Sequence, residues 1–158
     1  MIVMTKMYDF AEKLAEGEAG EATLDKLWDA RWQVLKAGRD DQRRGIDRWL
    51  IDSSIDERHS LEYKTDTTAG RTGNAFVETV SVSTTNKPGW AVSSQAQWLI
   101  YYIPKPETVY CIKLARLRQA LPMWRKQYPS RDVQNRGYVT TGLLVPLDEF
   151  EKIAEWVR

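Results

Sequence analysis

One short stretch, Leu61-Glu62-Tyr63-Lys64-Thr65-Asp66, constrains the fold of this chain more than any other. Charged and uncharged residues alternate along it, and this period of two predicts a β-strand that carries the charged side chains on one face. A carboxylate and an ammonium two residues apart on a strand face suit a metal-dependent phosphodiesterase. The carboxylate would hold a divalent cation, and the ammonium would stabilise charge at phosphorus. A solvated strand face with a cross-strand ion pair is the alternative interpretation.

Two rare residue types limit the chemistry of the chain. His59 is the only histidine and Cys111 the only cysteine, which excludes zinc sites built from Cys and His, Ser-His-Asp triads and intrachain disulfides. Any metal must therefore be held by oxygen atoms, which favours Mg²⁺ or Mn²⁺. The net charge of +1 indicates no particular partner, so nucleic-acid binding would depend on how the charges are distributed.

The 158 residues predict a single domain, residues 1–158, of the α/β class. We expect helices at about residues 7–16, 21–37, 94–102 and 115–128 and from residue 146 onward. Strands are expected at about residues 45–51, 61–66, 74–83, 109–114 and 137–144. No apolar run reaches the length of a membrane span and the N-terminus lacks a signal-peptide pattern, so we expect a cytoplasmic protein with no membrane partner.

Two hairpin turns predict which residues share a sheet face with Glu62 and Lys64. A turn centred near residues 55 and 56 would place Asp47 opposite Lys64, and a turn centred at Gly70 would place Glu78 opposite Glu62. Opposed carboxylates repel unless a cation lies between them, so this cluster favours a metal site over a purely structural sheet. A slip of one residue would move the side chains to the other face.

Further candidates flank this cluster. Glu21 lies in the first turn of a predicted helix, where a carboxylate also suits the helix dipole, and Glu16 and Glu18 are alternatives to it. Gln95 begins another predicted helix and could bind the phosphate, the water or a metal ligand, or be an ordinary surface glutamine. Arginines and lysines before the sheet and in a basic loop expected at residues 126–136 are candidates for contacts with the DNA backbone, or are merely solvated. These candidates are Arg43, Arg44, Arg48, Lys126, Arg131 and Arg136.

Taken together, these motifs resemble the PD-(D/E)XK nuclease superfamily, which includes restriction endonucleases, Holliday-junction resolvases and small phage nucleases. The likeness is greatest to small resolvase-like and phage-borne members. The segments that carry it are Gly17-Glu18-Ala19-Gly20-Glu21, Gly45-Ile46-Asp47, Glu62-Tyr63-Lys64, residues 72–78 and the predicted helix after Ser94. Ile46 replaces the proline of the family's name.

The resemblance implies a restriction-endonuclease-like fold, with a mixed central sheet of four to five strands flanked by helices. It implies that Asp47 and Glu62 bind the metal, that Lys64 orients or activates the water, and that Glu21 assists the metal site. Glu78 would be an added acid, and Gln95 occupies a place where relatives often have Lys or Gln. By the same resemblance we expect a homodimer.

We therefore expect a magnesium- or manganese-dependent deoxyribonuclease, restriction-like or resolvase-like. A nucleic-acid-binding protein of the same fold without cleavage is the first alternative. A structural or assembly protein whose acidic face is merely solvated is the second. Metal-dependent nicking of a plasmid would separate the nuclease from both alternatives.

Overall fold

The structure is a computed structural model, and it describes residues 10–158. The α-helices within this range are α1 (Phe10–Asp25), α2 (Arg39–Arg43), α3 (Ala69–Thr72), α4 (Trp90–Ser93), α5 (Leu114–Gln127) and α6 (Leu147–Ile153). The first five strands are β1 (Gln33–Lys36), β2 (Arg48–Asp52), β3 (Glu57–Thr65), β4 (Asn74–Val82) and β5 (Lys87–Pro88). The remaining strands are β6 (Trp98–Ile103), β7 (Thr108–Lys113), β8 (Ser130–Gln134), β9 (Val139–Pro146) and β10 (Trp156–Val157).

The strands form two sheets. Six strands make the central sheet in the order β1-β2-β3-β6-β7-β10, in which β3 and β6 run parallel and every other pair is antiparallel. Four strands make a second, antiparallel sheet in the order β5-β4-β9-β8. The mixed central sheet with flanking helices confirms the expected nuclease-like α/β fold, although this sheet has six strands where we expected four or five.

Each face of the central sheet packs against a different set of elements. On one face, Leu61 and Tyr63 of β3 join a hydrophobic cluster with Leu24 of α1. On the opposite face, a larger cluster connects the central sheet to the second sheet and to α5 and α6. Because neighbouring residues of a strand point to opposite faces, Glu62 and Lys64 face the side that carries the second sheet.

Helix α1 lies directly against the end of β3. A Cβ atom at Gly20 would collide with the side-chain hydroxyl of Thr65, so only glycine allows this close approach. The prediction of two helices separated by Gly17 and Gly20 is wrong, because a single helix runs through both glycines to Asp25. Residues 7–9 of the predicted first helix lie outside the described residues.

Three other predicted elements are wrong. Residues 33–36, which we expected at the end of a helix, form the edge strand β1. A helix was expected at about residues 94–102, but residues 98–103 form β6. A short apolar run that is buried on both faces has no period that separates a strand from a helix. Residues 126–136, expected to be a basic loop, include β8.

The remaining elements agree with the sequence pattern. Strands β2, β3, β4, β7 and β9 and helices α5 and α6 are confirmed, with ends shifted by a few residues. Helix α5 continues through Pro122 without a break. Across residues 10–158, no helix is long and apolar enough to cross a membrane.

Candidate active site

Asp47 stands immediately before β2 and is fixed to β3 by two hydrogen bonds. Its backbone N–H donates to the carbonyl of Leu61 at 2.8 Å, and its Oδ2 accepts the backbone N–H of Tyr63 at 2.8 Å. The predicted register is wrong by two residues, because Arg48 pairs with Leu61 rather than with Tyr63. A shift of two preserves the face of every side chain, so Asp47 still lies beside the Glu62 and Lys64 pair.

Glu62 and Lys64 form an ion pair at the centre of this cluster. Lys64 Nζ lies 2.9 Å from Glu62 Oε1, and the Lys64 side chain is 36% exposed whereas that of Glu62 is 4% exposed. Glu62 Oε2 is buried and has no hydrogen-bond partner in residues 10–158. A buried charged oxygen without a partner is costly, which makes this atom the part of the site that most requires a further ligand.

Glu78 reaches the same cluster from the second sheet. The predicted pairing of Glu78 with Glu62 is wrong, since β6 is the neighbour of β3 on that side and β4 pairs with β9 and β5. The packing of the second sheet nevertheless brings Glu78 close enough to Lys64 and Glu62 to interact with their charges. Gly89 lies against Glu78, where a Cβ atom would clash with both its backbone and its Cγ.

Burial and crowding perturb the pKa values of these groups. Burial raises the pKa of Asp47 to about 6, opposed by Lys64 and the Tyr63 N–H and supported by Glu62 and Glu21. Burial also raises the pKa of Glu78, although Lys64 acts against it. For Lys64, burial lowers the pKa, but Glu62, Asp47 and Glu78 outweigh this effect and raise it. Three carboxyl groups thus share a single ammonium, which leaves an excess of negative charge.

The carboxylates of this cluster suit a magnesium ion. They do not suit a metal whose ligands all come from the protein. No three acidic, histidine or cysteine side chains of residues 10–158 are arranged to hold a metal without other ligands. Mg²⁺ is commonly bound by one or two carboxylates together with waters and substrate phosphate oxygens. Asp47 and Glu62 could supply two such carboxylates, and the unpartnered Glu62 Oε2 is a suitable ligand atom.

Lys64 and Glu78 of the cluster line a cleft of about 1120 Å³, whereas Asp47 and Glu62 are not part of its lining. Lys64 and Asp66 line it from the central sheet, and Phe76 and Glu78 line it from the second sheet. Its charged lining is mainly cationic, with two acidic and five basic side chains. The basic residues are Lys13, Lys64, Arg71, Arg131 and Arg136. The sequence prediction did not include Arg71, which lies in the short helix α3 and outside every motif.

Arg48 of β2 forms an ion pair with Glu21 of α1. Arg48 is 6% exposed, contacts Asp25 at 2.9 Å and Glu21 at 3.3 Å, and lies over the ring of Tyr63. Because its guanidinium is already bound by these groups, Arg48 is not assigned to the proposed DNA interface. Glu21 is placed by α1 rather than by the predicted second helix, and it lies near enough to Asp47 to raise the pKa of that carboxyl.

The other predicted residues lie away from the acidic cluster or on open surface. Gln95 is exposed in the connection before β6, where its backbone N–H donates to the carbonyl of Arg44 at 2.7 Å. Arg43 and Arg44 form ion pairs with Asp40 and Asp41 in or beside α2. Lys126 is exposed at the end of α5, and it is not part of the cleft lining.

Comparison with known proteins gives a structural match and no sequence match. The chain is similar to a solved structure described as a bacterial homing endonuclease, I-Ssp6803I, with a TM-score of 0.50 and 18% identity. The match covers 67% of this chain and 72% of that chain. No protein-family model and no curated protein matches the sequence. At this level of identity the similarity supports a shared fold.

Proposed function

We propose that the chain is a metal-dependent DNA endonuclease of the PD-(D/E)XK type, with Asp47, Glu62, Lys64 and Glu78 at its active site. The observation that carries the proposal is the buried Glu62 carboxylate, which has one oxygen paired to Lys64 and the other without a partner in residues 10–158. A homing endonuclease with a similar fold supports the choice of DNA as substrate.

In this proposal Asp47 and Glu62 hold Mg²⁺ or Mn²⁺, and Glu21 adds negative charge behind Asp47. The bound cation would polarise the scissile phosphate and lower the pKa of an attacking water. Lys64 keeps its ammonium beside Glu62 and adds positive charge where negative charge develops in the transition state. Burial raises the pKa of Glu78, so its carboxyl group takes up a proton more readily than that of an ordinary glutamate.

The cleft between the two sheets would receive the DNA backbone. Arg71, Arg131 and Arg136 line it together with Lys64, so phosphate groups next to the scissile bond would meet cationic side chains. Arg43, Arg44, Lys126 and Gln95 are exposed or near the surface and remain weaker candidates for DNA contacts.

The decisive experiment uses supercoiled plasmid, linear duplex and a four-way junction, each with Mg²⁺, Mn²⁺ or EDTA. We expect cleavage with either metal and none with EDTA, and loss of cleavage in Glu62→Gln. Glu107→Gln, which removes an exposed carboxylate that belongs neither to the cluster nor to the cleft lining, is the matched control. Absence of cleavage on all three substrates with both metals would reject the nuclease.

Binding of Mn²⁺ alone tests the site without any substrate. Calorimetric titration of wild-type protein should give a binding heat that disappears in Asp47→Ala and in Glu62→Ala. Unchanged binding in either variant would remove that residue from the metal site. DNA binding that depends on salt but occurs without cleavage would support the alternative of a non-catalytic nucleic-acid-binding protein.

A further inference from the structure

A second pocket lies on the α1 side of the central sheet, away from the proposed active site. It has a volume of about 240 Å³, and its floor is formed by Leu50, Leu61, Ile100 and Cys111. Lys64 and its strand partner Tyr101 face the opposite side of the sheet. The proposed nuclease chemistry therefore makes no use of this pocket, and its occupant has to be inferred from its own walls.

The walls of the pocket are aromatic. Trp28 and Trp156 meet edge to face with their ring centroids 6.1 Å apart. Across the pocket, His59 lies 5.5 Å from Trp32 and 6.2 Å from Trp98, again edge to face. All four indoles are partly buried and line the pocket, so each ring keeps some surface that a ligand can reach. Rings arranged in this way around an apolar floor suit a flat aromatic ligand.

Cations surround these rings. The guanidinium of Arg158 lies 4.6 Å from the centre of the Trp156 ring, and Lys113 Nζ lies 5.4 Å from that of Trp98. Neither cation has an ion pair with a carboxylate in the part of the chain that the structure describes. Arg31, over Trp32, is already bound to Asp52 and Glu57. Asp29 is the acid that lines the pocket.

The volume of the pocket and the charges around it together limit the class of ligand that it can bind. The volume corresponds to about eight water molecules at about 30 Å³ each, which is enough for one ring system and too little for a helix or strand of a partner. A cationic ligand is disfavoured, because cations already occupy faces of Trp32, Trp98 and Trp156. The two cations without carboxylate partners favour a ligand that joins a planar ring to an anion.

We propose that this pocket binds a nucleotide, with the base between the tryptophan walls and the phosphate held by Arg158 and Lys113. The same chemistry is offered by a free mononucleotide and by an unpaired nucleotide of a single strand. Stacking on aromatic side chains tolerates any base, so the site distinguishes a nucleotide from other anions rather than one base from another. This site is additional to the proposed cleavage of DNA and does not depend on it.

The test follows the indole N–H resonances of ¹⁵N-labelled protein during titration with adenosine 5′-monophosphate. We expect saturable shifts of Trp28, Trp32, Trp98 and Trp156 with a dissociation constant of about 1 mM or tighter, while the core residue Trp124 does not shift. Adenosine and inorganic phosphate should each bind at least about fivefold more weakly than the nucleotide. A short single-stranded oligodeoxyadenosine should also be titrated. If the indole shifts give it a lower dissociation constant than the mononucleotide, the ligand is an unpaired nucleotide of a strand.

Variants separate the ring site from the phosphate site. Trp156→Leu should abolish the shifts of the remaining pocket indoles. Lys113→Gln with Arg158→Gln should weaken nucleotide binding at least about fivefold but leave adenosine binding unchanged. Lys87→Gln with Lys105→Gln removes the same amount of charge at exposed positions elsewhere and should have no effect.

Three results would overturn the proposal. The first is the absence of saturable shifts up to about 10 mM nucleotide, a concentration well above the expected dissociation constant. The second is an equal response to phosphate alone, which would mean that the ring does not contribute. The third is binding of tetramethylammonium as tight as that of the nucleotide, which would identify a cation cage instead.

Discussion

At the residue scale, the carboxyl group of Asp47 should make the stability of the metal-free protein depend on pH. Its pKa is about 6 in the folded protein and about 3.9 in an unfolded chain. Between these values the folded state holds more protons than the unfolded state, so stability falls as pH rises. The contribution is complete below about pH 4 and lost above about pH 6, and it amounts to at most about 3 kcal/mol.

The measurement is urea unfolding with EDTA across this pH range, for wild type and for Asp47→Asn. The variant cannot titrate at this position, so its free energy of unfolding should fall less steeply between about pH 4 and pH 6. Glu78, whose pKa is also raised, adds a slope of the same sign in both proteins, so the test is the difference between the two slopes. Identical slopes would show that Asp47 titrates normally.

Replacing Lys64 tests whether its ammonium group acts in catalysis or only in the structure. Lys64→Met keeps most of the side-chain stem but leaves the buried Glu62 carboxylate unpaired, so we expect unfolding to become easier by about 1–3 kcal/mol. At a temperature where both proteins are folded, cleavage should slow by at least about a hundredfold, since the lost charge acts in the transition state.

Binding of DNA to Lys64→Met should stay close to wild type, because the arginines of the cleft remain. Lys152→Met, which removes an exposed cation from a surface pair, is the control and should cut at the wild-type rate. A Lys64→Met enzyme that cuts within a few-fold of wild type would contradict the catalytic role.

At the element scale, α1 offers two glycines with opposite expectations. Gly17 has no atom near a substituted Cβ, so Gly17→Ala should stabilise the protein by about 0.5–1 kcal/mol through helix propensity alone. Gly20 packs on Thr65, and Gly20→Ala should destabilise it, because the new methyl group would push α1 away from β3. Equilibrium urea unfolding measures both changes, and a stabilising Gly20→Ala would contradict the packing of α1.

The elements also show what the sequence could and could not predict. The face of each β3 residue followed from alternation, and it survived a register error of two residues because the side-chain period is two. The run Trp98–Ile103 was misassigned because it is buried on both sides and carries no period. The pairing of β3 with β6 joins residues about 37 positions apart, and no turn motif specifies such a contact.

At the scale of the whole molecule, the packing of the second sheet on the central sheet brings Glu78 to Glu62 and Lys64. Glu78 was expected next to Glu62 through a hairpin, whereas it reaches the cluster by the packing of one sheet on another. Local pattern indicated the sheet face of Glu62 and Lys64, but it contained no information on how two sheets pack. For the same reason, sequence alone did not separate Arg131 and Arg136, which line the cleft, from Lys126, which does not.

The position of Arg131 and Arg136 in the cleft lining predicts how DNA binding should depend on salt concentration. Each phosphate contact with duplex DNA contributes about 0.9 to the slope of log K against log salt. Arg131→Gln with Arg136→Gln should therefore reduce the slope by about two and weaken binding to all sequences alike.

Lys36→Gln with Lys87→Gln removes the same charge at exposed positions outside the cleft lining and should leave the slope unchanged. Fluorescence anisotropy of one labelled duplex at several salt concentrations provides both slopes. Since the chain as a whole carries a net charge of only +1, equal losses in the two double variants would mean that the DNA responds to total charge. A larger loss in the arginine variant would instead follow from cations concentrated along the cleft beside the acidic cluster.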